Sequence, residues 1–182
     1  MKLCITGAQS TGKTTLLEHL KLQDEFLDFT FLQEITRKLQ RAGYVINEQA
    51  DDTTQLLISK AHLENSEVEG CCILDRCSLD GVVYTHYLYN KGQVNRETLD
   101  VALDIFLKTI QNYTAIFYIK PEFAIKDDNV RSASLEFRDS IVELFDYYIQ
   151  KYNLNVYTLT GSTEERTQQF IEIYKDLECN KS

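Results

Sequence analysis

The chain has 182 residues, and 19 Lys and Arg against 28 Asp and Glu give a formal net charge of −9. That length accommodates one domain, expected to span residues 1–182, and its 43% hydrophobic and 26% charged content excludes disordered and collagen-like classes. No apolar run approaches the ~20 residues of a membrane span, and acidic residues outnumber basic ones in both halves, against a broad basic face for duplex nucleic acid.

The start, Met1 through Gly7, reads as a short strand running into glycine rather than as a leader peptide, so a soluble, cytoplasmic protein is expected. Lys13 to Leu22 follows as a helix with Leu16, Leu17 and Leu20 on one side. Thr30 to Gln33 is a second strand, Ile35 to Ala42 a short helix, and Thr53 to Val68 a longer one carrying Leu56, Leu57, Ala61 and Leu63. Cys71 to Leu74 is a continuous apolar run, the pattern of a central buried strand. Helices are expected over Asp80–Asn90 and Glu97–Gln111, and a fourth strand over Thr114–Ile119, closed by Pro121. Ser134 to Tyr152 is an amphipathic helix with Ile141, Leu144, Phe145 and Tyr148 along one stripe. Val156 to Leu159 and Thr163 to Leu177 supply the last strand and helix. Strands separated by helices imply an α/β fold, a five-stranded parallel sheet with helices on both faces. Ligands of such sheets sit at the carboxyl ends of the strands.

The most specific motif lies at such an end. Gly7-Ala8-Gln9-Ser10-Thr11-Gly12-Lys13-Thr14 fits G-x-x-x-x-G-K-[ST] without a mismatch, between a strand and a helix as that motif requires. Its glycines let successive N–H groups converge on one anion, and the following helix adds its positive end. Gly7, Gln9, Ser10, Thr11, Gly12, Lys13, Thr14 and Thr15 are therefore the expected phosphate-binding set. Lys13 would bridge two phosphates and the Thr14 hydroxyl would ligate Mg²⁺.

Three further groups follow. Asp75, ending the central strand, is placed either to hold Mg²⁺ through water or to act on an acceptor hydroxyl. Beside it, Arg76 is a candidate for substrate or phosphate, and Asp80 opens the next helix. The plainer alternative is a capping Asp with an ion-paired Arg. Glu34 and Arg37 sit three residues apart at the end of the second strand, suited to a sugar or base hydroxyl or, more simply, to the helix dipole. In the polar segment after the fourth strand, Lys126, Arg131 and Arg138 would form a lid whose cations meet charge developing on a transferred phosphoryl group. The five cysteines (Cys4, Cys71, Cys72, Cys77 and Cys179) lack C-x-x-C spacing and are expected as reduced thiols, without a cysteine metal site. His19, His62 and His86 are too far apart for an expected cluster, and Tyr84, Tyr87 and Tyr89 read first as packing.

Taken in order, the loop Gly7 to Leu16, Glu34-x-x-Arg37, Leu74-Asp75-Arg76 with Asp80, and Asn129-Val130-Arg131 with Glu136-Phe137-Arg138 resemble one group of small P-loop kinases. This is the AAA-type ATPase/kinase family that contains the ribosylnicotinamide kinase domain and is related to deoxynucleoside and nucleoside monophosphate kinases. The resemblance runs from Lys2 to about Tyr174. It implies a three-layer P-loop NTPase fold, ATP and Mg²⁺ as cofactors, a nucleoside or nucleotide acceptor, and an Arg-bearing lid at about 121–138. On it, Lys13, Asp75, Arg131 and Arg138 are the expected catalytic residues. Glu34, Arg37, Arg76 and Asp80 are the expected acceptor-binding residues, and Thr14 and Asp75 the metal-binding ones. The expected activity is transfer of the ATP γ-phosphoryl group to a small nucleoside or nucleoside monophosphate, in nucleotide metabolism. A polynucleotide or modified-DNA kinase and a regulatory ATPase without acceptor are the alternatives, and monomer and homodimer are both open.

Overall fold

The computed structural model describes residues 1–33, 35–121 and 132–180. Its first strand, β1 (Lys2–Thr6), lies at the centre of a parallel sheet. On one side comes β3 (Cys72–Asp75) and then β2 (Thr30–Leu32); on the other come β4 (Ala115–Tyr118) and then β5 (Val156–Thr158). Among the described residues these form one five-stranded parallel sheet in the order β2-β3-β1-β4-β5. The register sets Ile5 beside Asp75 on one flank and Thr6 beside Tyr118 on the other. From β1 the neighbouring strands run to opposite sides, and the crevice outside their carboxyl ends is where such sheets bind ligands.

Side-chain alternation along each strand divides the interior into two cores. Leu3, Ile5, Ile73, Ala115 and Phe117 point to one face, covered by α1 (Lys13–Leu20) and α7 (Thr163–Cys179). The expected Leu16, Leu17 and Leu20 stripe is buried there. Cys4, Cys72, Leu74, Ile116 and Tyr118 point to the other face, under α4 (Ser78–Asn90), α5 (Arg96–Thr109) and α6 (Ser132–Lys151). Cover on both faces is what makes these strands apolar throughout rather than alternating. The expected three-layer α/β fold is the one present. No helix among the described residues is long and apolar enough to cross a membrane.

Capping residues mark the helix starts: Asp51 for α3 (Asp52–Glu67), Asn95 for α5 and the Ser162/Glu165 capping box for α7. The remaining short helix, α2 (Ile35–Arg41), follows β2. Two sequence expectations need correction. α4 starts at Ser78, not Asp80, because the Asp80 carboxylate reaches back to accept the Cys77 backbone N–H at 3.0 Å and closes a box around the Cys77 cap. In α3 the expected leucine stripe is not the buried one: Leu56 is 40% exposed, while Gln55, Ser59 and His62 are buried. Gln55 and His62, with Ile58, line a pocket against α4.

Candidate functional site

The loop after β1 is shaped by main-chain constraints. Gly7 has φ of 141°, and a Cβ there would fall 2.3 Å from the Ile119 carbonyl oxygen, so only glycine passes between the strands. Gly12, at φ of 86°, caps α1 and turns its first N–H groups toward the loop interior. Lys13 is buried; its ammonium donates to the Ala8 carbonyl and, at 3.2 Å, to the Thr11 hydroxyl. The Arg37 guanidinium of α2 donates to the Thr14 hydroxyl at 3.1 Å, joining a residue from the second motif to the loop. From behind, Arg166 of α7 donates to the Thr11 carbonyl at 2.8 Å. The cleft above the loop measures about 1010 Å³, open mouth included, and Gln9, Ser10, Gly12 and Thr15 lie along it.

Asp75 ends β3 beside Ile5 and is 5% exposed. The next residue, Arg76, adopts φ of 76°, a left-handed conformation that costs a side-chain-bearing residue of order 1 kcal/mol or more and recurs at functional sites. This turn brings its guanidinium 3.0 Å from an Asp80 carboxylate oxygen and 5.1 Å above the Tyr84 ring. The other Asp80 oxygen accepts from the Thr6 hydroxyl at 2.7 Å and from the Cys77 N–H. Asp80 is thus built into the frame that orients Arg76. Thr14 and Asp75 contribute a hydroxyl and a carboxylate, oxygen donors of the kind Mg²⁺ takes, so the residues present fit that ion.

A second, inner pocket lies beside the loop, about 380 Å³ with its open mouth included. Gln55, Ile58 and His62 of α3 and Gly81 and Tyr84 of α4 form its wall. Thr36, Asn47 and Arg76 line both this cavity and the cleft above the phosphate loop, so the two spaces adjoin.

Residues 2–166 match the AAA domain family. The chain belongs to it. No curated protein sequence is similar to the chain. Among solved structures, this AAA domain is similar to the NadR protein in complex with NR, at 22% identity and a TM-score of 0.65, over 88% of this chain and 46% of NadR. It is also similar to deoxyadenosine kinase from M. mycoides, at 15% identity and a TM-score of 0.62, over 98% of this chain and 99% of that one. The YorR protein from Bacillus subtilis gives 16% identity and a TM-score of 0.60, over 96% of each. These likenesses establish the P-loop kinase-like fold, and the AAA domain spans about half the length of NadR.

Of the residues singled out in the sequence, the AAA domain brings the phosphate loop, Arg37, Asp75, Arg76 and Asp80 together. Glu34, Lys126 and Arg131 lie outside the described residues. Arg138 is buried near the start of α6, one residue after Phe137, which packs on Tyr84 and Tyr87 with ring centroids 6.0 and 4.7 Å away. Sequence reasoning missed Arg166, Gln55 and His62 and read Tyr84 as packing. Tyr84 in fact carries Arg76 on its face and donates its hydroxyl to the Gln9 side chain at 3.2 Å. Arg166 had a legible signal: with Phe170 and Tyr174 it shares an i, i+4 buried stripe, where an arginine needs a specific acceptor.

The five cysteines are free thiols, as expected. β1 and the β3–α4 turn bring the Cys4 and Cys77 sulfurs and an Asp80 oxygen within 4.8 Å of one another, a donor group that sequence spacing did not suggest. Burial, together with the neighbouring Cys77, pushes the Cys4 thiol well up, and Asp80 is engaged by Thr6, Arg76 and Cys77. The protonated thiol makes this cluster part of the core on the α4 face of the sheet.

Proposed function

We propose that this AAA domain is a kinase that transfers the γ-phosphoryl group of ATP to a small nucleoside or nucleoside monophosphate. The observation that carries the reading is the shared wall of Thr36, Asn47 and Arg76, which sets a second pocket against the cleft above the phosphate loop. A phosphate chain on the loop and an acceptor in the cavity would meet at Arg76. The solved structures of kinase fold named above agree with it.

In this reading the loop N–H groups and Lys13 hold the phosphates, and Arg37 positions the Thr14 hydroxyl. Thr14 and Asp75 hold Mg²⁺, which when bound offsets charge on the phosphate oxygens. Asp75, next in the chain to Arg76 at the junction of the two spaces, also suits the role of taking the acceptor's proton. Arg76 holds the acceptor, fixed by Asp80 below and Tyr84 at its face. Glu34 is assigned to the acceptor as well, and Arg131 and Arg138 to closure over the transferring group. Rate enhancement then comes from positioning and charge stabilisation in a water-poor site.

The test is ADP release from Mg-ATP with and without a panel of nucleosides and nucleoside monophosphates, with Lys13→Ala as control. Stimulation by an acceptor, abolished in Lys13→Ala, is the expected result. Slow hydrolysis indifferent to every acceptor would overturn the reading.

A further inference from the structure

The peptide joining Thr11 to Gly12 is held from one side only. Its carbonyl oxygen accepts from Arg166 Nη1 at 2.8 Å, where the loop packs against α7. The described residues lining the cleft on the other side include Gly12, Lys13 and Thr14 but not Arg166. In a planar trans peptide the carbonyl and the N–H point in opposite directions. A carbonyl held toward α7 therefore turns the Gly12 N–H toward the cleft, where the loop's anion binding needs donors.

Gly12 does not fix this orientation by itself. Its φ is 86°, and glycine occupies positive and negative φ about equally readily. Turning the Thr11–Gly12 peptide over carries φ into the negative range that every residue favours. The carbonyl oxygen would then face the cleft in place of the N–H, and its partial negative charge would repel a phosphate. The Thr11 hydroxyl donates to the Ala8 carbonyl at 3.0 Å and accepts from the Lys13 ammonium at 3.2 Å. Those bonds hold the Thr11 side chain; its carbonyl is held by Arg166.

Arg166 is built for that task. It is 8% exposed, so water competes little for the bond, and a charged donor bonds about twice as strongly as a neutral one. Phe170 and Tyr174, on the same helix, are buried in the core on that face of the sheet and keep α7 in place. A Cβ on Gly12 would stand 3.4 Å from Arg166 Nη1, so the missing side chain also lets the guanidinium lie close against the loop.

We infer that Arg166 is a positioning residue for phosphate binding: by holding the Thr11 carbonyl it keeps the Thr11–Gly12 peptide in the orientation that presents the Gly12 N–H to a phosphate. The inference rests on the phosphate-binding part of the reading above.

The experiment titrates ADP into the full chain and, after isotopic nitrogen labelling of glycine, follows the Gly12 amide resonance in the absence of ligand. Arg166→Ala is expected to weaken ADP binding about tenfold or more and to displace or split the Gly12 resonance. Millimolar guanidinium ion, entering the space the side chain leaves, is expected to restore both, and urea, its neutral counterpart of similar shape, to restore neither. Arg166→Met keeps the apolar stem in place, so it serves if the alanine variant does not fold, and it is expected to show the same loss. Unchanged ADP affinity in either folded variant would overturn the inference. So would weakened binding with the Gly12 resonance unmoved, or rescue by urea as complete as by guanidinium, since either would make Arg166 a packing residue alone. Failure of the unaltered protein to bind ADP would instead remove the phosphate-binding reading itself.

Discussion

The phosphate loop and the inner cavity adjoin, yet they are built by different means. The loop is a main-chain structure: Gly7 and Gly12 take backbone conformations that side chains resist, and its chemistry is in convergent N–H groups and one lysine. The cavity is a side-chain structure, assembled largely from residues that two helices turn toward each other. Main-chain sites need a fixed spacing of residue types, so they leave a motif. Side-chain sites need only that certain positions face inward, which any of several residue types satisfies. The difference predicts that loop substitutions act on ATP and cavity substitutions on the acceptor, and each of the following changes tests that division.

The largest effect is expected for Lys13→Ala, which removes the cation of the loop. Acceptor-stimulated turnover should fall by about 100-fold or more, with the thermal midpoint of unfolding little changed. Gly7→Ala comes next and strikes the backbone itself. Its Cβ would meet the Ile119 carbonyl at a distance no side-chain rotation relieves, since a Cβ is fixed by its own backbone and the Ile119 oxygen is main chain. Loss of ATP binding together with about 2 kcal/mol or more of stability is expected, read by nucleotide titration and denaturant unfolding.

Arg166→Met tests whether support from α7 matters to the loop. It removes the 2.8 Å bond to the Thr11 carbonyl, and KM for ATP should rise by about tenfold, with KM for the acceptor unmoved. An equal rise in both would break the division between the two regions. Tyr84→Phe should act across the boundary more weakly, because it loses the hydroxyl bond to Gln9 but keeps the ring beneath Arg76. A change of about two- to fivefold in kcat/KM for the acceptor is expected.

The smallest effect lies away from both regions. His86 Nδ1 is hydrogen-bonded with the Tyr148 hydroxyl at 3.1 Å between α4 and α6, and burial, with Lys151 and Arg96 nearby, holds its pKa below the ordinary value. Protons therefore bind the unfolded chain more readily than the folded one. The stability His86 contributes is present above the ordinary histidine range and is lost as pH falls through that range to the lowered pKa. The thermal midpoint should drop between about pH 7 and pH 5, and His86→Gln should flatten that part of the profile while leaving turnover at neutral pH in place.

The same contrast explains which residues could be read in advance. The strands were legible because parallel strands covered on both faces are continuous apolar runs, and Cys71 to Leu74 is one. The stripes of α1 and α6 were legible because their apolar positions recur with the helical period. α3 was misread for the converse reason: its leucines are only partly covered, and apart from Ile58 the residues it buries are polar, Gln55, Ser59 and His62 among them. Hydrophobic periodicity finds apolar cores and passes over a polar interior. Arg166 was missed although its i, i+4 spacing from Phe170 placed it on a core face, because its acceptor is 155 residues away in the chain.

The sequence by itself determined the phosphate loop, the order of strands and helices, and the positions of Asp75 and Arg76 at a strand end. These follow from local rules, since glycine conformation, side-chain period and chain direction act over a few residues. Only the tertiary structure decided that Arg76 is braced by Asp80 and Tyr84, that Cys4 and Cys77 meet beside Asp80, and that α3 presents Gln55 and His62 to a cavity beside the loop. Those arrangements depend on how α3 and α4 rotate against each other and against the sheet. That rotation is fixed by the summed packing of both cores, a property no short stretch of the chain carries.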